Sequence, residues 1–193
     1  MKNEQRKNSF KIILWSGVLV ILLLVVGVVM RNKLESFLHI QAEKQVEIQA
    51  GTLAESIHSN LQMKLRALVS IAQNLEKYES DLYEIMEFSD NEEGSGYVMG
   101  LLRLNGEAVY GESLNFRDFN GIQNAFRGNQ SVCYCEGKGL LFTVPVYSGE
   151  NIKYVLYRLY EEAVLADEFG LSYYNNEGTV IVVDGNGIVI PSK

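Results

Sequence analysis

Charge is absent from residues 12–30, proline from every position before Pro145, and histidine and cysteine are reduced to two residues each. Each shortage excludes something. A 19-residue run without an ionisable side chain (IILWSGVLVILLLVVGVVM) is foreign to the surface of a water-soluble domain. At ~1.5 Å per residue it matches the roughly 30 Å hydrocarbon core of a bilayer and predicts a membrane-spanning helix. The missing prolines, with Gly51 the lone glycine between Lys33 and Met86, leave the following stretch without helix breakers. His39 and His58 stand 19 residues apart and do not form a paired metal site; each reads as a solvated helix residue. Cys133 and Cys135 are one residue apart. On a strand they share a face, and a ring closed between them is strained, which leaves buried thiols or a bond between two chains.

The chemistry of catalysis is missing as well. No G-x-S-x-G elbow accompanies the serines. Asp184-Gly185-Asn186-Gly187 has half the pattern of a calcium loop, but hydrophobic residues follow it and the closing glutamate does not; a type I′ turn accounts for it. The sequence therefore predicts no catalytic residue, no metal and no cofactor.

What is present begins with the anchor. Lys2, Arg6, Lys7 and Lys11 precede the apolar run against Glu4, whereas Arg31 and Lys33 after it are offset by Glu35 and Glu43. That bias predicts a cytoplasmic segment 1–11, a transmembrane helix 12–30, and an extracytoplasmic remainder in the cell (plasma) membrane. The run ends in Val-Val-Met and a basic residue, without a small-x-small cleavage site, so the anchor is expected to stay. Of the net charge of −7, segment 1–11 contributes +3 and the apolar run nothing, which leaves −10 outside. An acidic exterior argues against nucleic acid as a partner.

Residues 31–88 predict a long stalk helix. Val46, Ala50, Leu53 and Ile57 recur at spacings of four, three and four, and Leu61, Leu65, Leu68, Ala72, Leu75, Glu79, Leu82 and Met86 resume the alternation after a four-residue step that reads as a stutter. Such a narrow seam suits a homodimer near the membrane and packing on the chain's own domain further out; the alternative is one amphipathic helix packed on a sheet, without a dimer. After Met86 the composition turns to loop formers and then to strands. Segments 97–104 and 108–110 flank the Asn105-Gly106 turn of a hairpin. Phe116, Phe119, Ile122 and Phe126 give helical spacing over 115–126. Strands follow at 132–135, 140–147 and 152–160, with the turn Ser148-Gly149-Glu150-Asn151 between the last two. Pro145 has no N–H for a ladder and predicts a bulge or an edge-facing position. Residues 161–169 read as a helical link and 178–190 as a last hairpin. The fold class expected is α+β.

A long helix, a hairpin, a short helix and three antiparallel strands form the order of PAS-like extracellular Cache sensor domains. The motifs Gly128-Asn129-Gln130-Ser131-Val132, Gly139-Leu140-Leu141-Phe142-Thr143-Val144-Pro145-Val146-Tyr147 and Asn151-Ile152-Lys153-Tyr154-Val155-Leu156 resemble that family's signature, the proline-bearing strand most specifically. The resemblance covers roughly 34–170, with a sensor lobe at 96–170. The hairpin around Asp184 resembles the opening of a second lobe in double-Cache sensors, which makes 171–193 the truncated start of one. The resemblance implies a sensor region of a bacterial signal-transduction receptor, carried in a longer protein with a GGDEF/EAL cyclic-dinucleotide enzyme or a histidine kinase as output. The chain itself is then not an enzyme. The alternative is a membrane-anchored protein-interaction module without signalling output.

Alternation groups Tyr154, Leu156, Arg158 and Tyr160 on one strand face and Tyr97, Met99, Leu101 and Arg103 on another. Arginine on an apolar face calls for an anion, from the domain or from a ligand. Amino-acid-binding Cache domains use arginine, aromatic and aspartate residues near the helix after the first hairpin. Tyr110, Arg117 and Phe119 occupy that region here, without the aromatic pair expected beside the arginine. The ligand-binding set expected is Arg103, Tyr110, Arg117, Tyr154 and Arg158, and the partner a small anionic ligand or an envelope protein.

Overall fold

The computed structural model describes residues 2–90, 96–115, 119–170, 181–183 and 188–190, with side chains from Val25 onward. Helix α1 runs Lys2–Lys77. A 3₁₀ turn, Glu79–Asp81, leads into α2, Leu82–Asp90. Strands β1 (Tyr97–Arg103) and β2 (Ala108–Tyr110) form the first hairpin, and α3 (Asn120–Phe126) follows it. Then come β3 (Ser131–Cys135), β4 (Gly139–Ser148), β5 (Asn151–Glu161) and α4 (Glu162–Glu168). A two-stranded hairpin, β6 (Val182–Val183) and β7 (Val189–Ile190), comes last. The class is α+β, as expected.

The chain divides into two units, 1–54 and 55–193. The first is helix throughout, and its large apolar side chains from Val25 to Ile48 are exposed. Among the described residues no helix is long and apolar enough to cross a membrane. Of the expected span only residues 25–30 have described side chains; the rest of it lies outside them.

The second unit is built on a five-stranded sheet of order β2-β1-β5-β4-β3, antiparallel at every pairing. One face carries Met99, Leu101, Phe142, Val144, Leu156 and Tyr160. Leu65, Leu68, Ala72 and Leu75 of α1 pack on it with Leu82 and Met86 of α2, so the helical periodicity read from sequence meets the strand alternation. Asn60 and Lys64 of α1 bond the Glu168 carbonyl and carboxylate, which fastens α4 to the same face. The opposite face carries Leu102, Leu141 and Tyr157 under Phe119 and Ile122 from the α3 side.

One expectation changes in detail and the one for Pro145 is met. The stalk helix does not run unbroken to residue 88: Tyr78 leaves helical geometry at φ −125°, ψ 58°. Ser80 and Asp81 favour turns over helix interiors, and the break lets α2 lay Leu82 and Met86 into the core that α1 already covers. Pro145 falls where β3 has ended, since Ser131, its first residue, pairs with Thr143. The β3 side of Pro145 therefore faces no strand, and a register shift follows at Val146/Tyr147. Val182 and Ile190 of the last hairpin pack against the main core; its turn, 184–187, lies outside the described residues, as do 171–180.

Candidate functional site

Arg158 sits at the centre of the helix-covered face, opposite Met99 on β1 and Phe142 on β4, and is only 8% exposed. Its guanidinium carbon lies 4.1 Å from the Tyr97 ring centroid, and Nη2 lies 3.8 Å from the Met99 sulfur. Nε is buried without a hydrogen-bond partner. Among the described residues no carboxylate comes within ion-pair distance of it. The anion that the sequence asks for is replaced there by an aromatic face, which attracts a cation through its quadrupole.

The other expected site residues do not gather around it. Tyr154 is half-buried at the margin of the same core, with the Lys153 ammonium 5.5 Å from its ring centroid. Arg103, at the end of β1, is exposed and pairs with Glu107 at 3.6 Å across the hairpin turn. Tyr110 on β2 donates to Asp90 at 3.3 Å; burial, then the Asp90 and Glu87 carboxylates, push its phenol upward. Arg117 lies outside the described residues.

The opposite face holds a cleft of about 640 Å³. Its floor is apolar, from Leu114, Phe119 and Leu159. Lys138, from the β3–β4 turn, stands 4.8 Å above the Phe119 ring, and Glu161 and Glu162 line the cleft from the β5–α4 junction. Tyr157 props the loop that forms one wall: its hydroxyl donates to the Glu112 carbonyl at 2.6 Å. The ring can reach that far because it crosses β1 at Gly100, where a Cβ would come within 2.5 Å of it. Burial pushes the Tyr157 phenol up to about 12. Tyr134 is held at about 12 by burial and by the Glu162 carboxylate that its hydroxyl bonds.

No family model matches this chain, and no curated protein matches its sequence. What the cleft can do follows from its own groups. An ammonium over an aromatic floor, with two carboxylates nearby, suits a small ligand that carries an anionic group for the ammonium and a cationic or hydrogen-donating group for the carboxylates. Sequence reasoning named Phe119 but missed Lys138, Leu159, Glu161 and Glu162. The signal was there: the alternation that turns Arg158 to one face turns Leu159 and Glu161 to the other.

Beside the cleft, α3 is tied to the sheet by a small polar network. Thr143 Oγ1 donates to the Gly121 carbonyl at 2.9 Å and lies 2.9 Å from Ser131 Oγ. Cys133 and Cys135, both reduced and half-buried, continue the row along β3. A hydrogen bond with Cys135, against the upward pull of burial and with help from the Gly121 backbone, lowers the Cys133 thiol to about 7.

Proposed function

We propose that this chain is the membrane-anchored extracytoplasmic sensor region of a bacterial signal-transduction receptor, and that the cleft under the 111–115 loop takes its ligand. The observation that carries the reading is the unequal covering of the sheet: long helices close one face, while a short helix and a loop leave a charged cleft on the other. The element order of helix, hairpin, short helix and three strands, with the proline-bearing strand inside the sheet, supports the Cache-like identification. The apolar run 12–30 and the basic residues before it support a single span with a cytoplasmic N-terminus. A small ligand places its anionic group at Lys138 and its body on Phe119, and its binding reorders the loop that Tyr157 props. The response is read by an output enzyme of the cyclic-dinucleotide or histidine kinase class in the receptor.

Thermal melts of the full chain in detergent, with a panel of small anionic and zwitterionic metabolites, test this. A binding metabolite raises the melting temperature, and Lys138→Ala removes the rise. If no metabolite shifts the melt, the sensor reading fails and the interaction module takes its place.

A further inference from the structure

We propose that Cys133 and Cys135 form a two-thiolate site for a soft monovalent cation of the Cu(I) and Ag(I) class. The two residues lie on the edge strand β3 of the sheet and share one of its faces. Their sulfurs are 3.9 Å apart. Metal–thiolate bonds of about 2.3 Å place two sulfurs between roughly 3.8 Å apart at a tetrahedral angle and ~4.6 Å apart in a straight line. The observed separation is inside that window, so a cation bridges the pair by rotation of the side chains alone. A disulfide needs the sulfurs at about 2.05 Å and the Cβ atoms near 3.8 Å, which residues two apart on an extended strand reach only by bending it. Chelation is therefore the geometrically easier reaction of this pair.

The pair lies at the sheet edge beside α3. Cys135 pairs across the strands with Gly139. Cys133 is approached by Gly121 of α3, where a Cβ would stand 2.8 Å from the sulfur. Both thiols are partly reachable from solvent. Among the described residues no group of three or more histidine, cysteine, aspartate or glutamate side chains is assembled for a metal ion. Thiolates are soft ligands, and two of them, short of the four ligands that Zn²⁺ takes, favour soft cations. The exchange balances: two thiols release two protons, two metal–sulfur bonds form, and the site passes from neutral to a single negative charge.

The test titrates the reduced full chain in detergent with Ag(I), a probe with no redox chemistry of its own under these conditions. After each addition the thiols are alkylated with iodoacetamide and counted by mass spectrometry. One Ag(I) per chain is expected to protect both cysteines together. Cys133→Ser and Cys135→Ser should each lose that stoichiometric protection, and Zn(II) at the same concentration should protect neither. Because the decisive reading is made on the unsubstituted chain, a variant that fails to fold does not blunt it. Protection requiring two Ag(I), one for each thiol, overturns the proposal. So does equal protection by Zn(II), or a Cys133–Cys135 disulfide that persists in the chain after mild reduction.

Discussion

The guanidinium of Arg158 stacks on the ring of Tyr97 at 4.1 Å, in the middle of an apolar face where an ion pair is the ordinary requirement. Breaking a buried ion pair by removing one partner leaves a charge alone and costs roughly 3–5 kcal/mol. A cation on an aromatic face is worth only about 0.5–2 kcal/mol, and replacing it by an apolar side chain removes a desolvated charge at the same time. Arg158→Leu is therefore expected to change unfolding stability by less than about 1.5 kcal/mol in urea titrations. A loss in the larger range would reveal a carboxylate partner.

Tyr157 and Gly100 are matched across β1 and β5. Gly100→Ala pushes a methyl group into the tyrosine ring, and overpacking of that kind costs about 1–3 kcal/mol. Tyr157→Phe keeps the ring and loses only the bond to the Glu112 carbonyl, for about 0.5–1.5 kcal/mol. The two variants separate core packing from loop anchoring: both lower stability, and the first does so more. Equal losses would mean that the hydroxyl, not the ring, is what Gly100 accommodates.

How much of this was legible from the residues depends on the kind of pairing involved. The β1–β2 hairpin was readable because Asn105-Gly106 demands a turn, and Gly106 takes φ 87° there. The β4–β5 turn was readable for the same reason, with Gly149 at φ 63°. Of the helix expected over 115–126, Asn120–Phe126 is helical and Asn115 and Phe119 are not, because spacing of apolar residues does not fix where a helix begins; 116–118 lie outside the described residues. The Arg158 environment was half-readable: strand alternation identified its face, but which side chain stands across from it is set by register. The cleft was not legible because Lys138 reaches it from a turn that periodicity does not describe.

Alkaline pH acts through the two shielded phenols. Tyr134 and Tyr157 titrate at about 12 in the folded chain against about 10 for an unfolded tyrosine. The folded state therefore holds these protons more tightly, so their contribution is fully present below pH ~10 and is lost as pH rises through ~12. Denaturant midpoints are expected to hold to about pH 10 and to fall between about 10 and 12, with Tyr157→Phe reducing the fall. Absorbance titration at alkaline pH should show Tyr134 and Tyr157 ionising late, with Tyr110 also later than an unfolded tyrosine. If all of them ionise together near 10 while the chain stays folded, burial of the hydroxyls is not what the site uses.

The helical seam divides at the boundary of the two units. Leu65 and Leu68 are buried against the chain's own sheet, while Val46 is 64% exposed. Charges placed at Leu65 and Leu68 would thus unfold the sheet domain and could not report on a dimer. Leu68→Ala alone is expected to cost about 2–5 kcal/mol in urea unfolding, as cavity formation in a packed core does. Pairing between copies is instead read from the exposed part of the seam. A cysteine replacing Val46 is expected to cross-link two chains under mild oxidation in membranes, in a background where Cys133 and Cys135 are serine, whereas a cysteine replacing Leu68 is not. Absence of the Val46 cross-link, with the helix intact by circular dichroism, would leave the exposed apolar positions unpaired and remove the homodimer from the proposal.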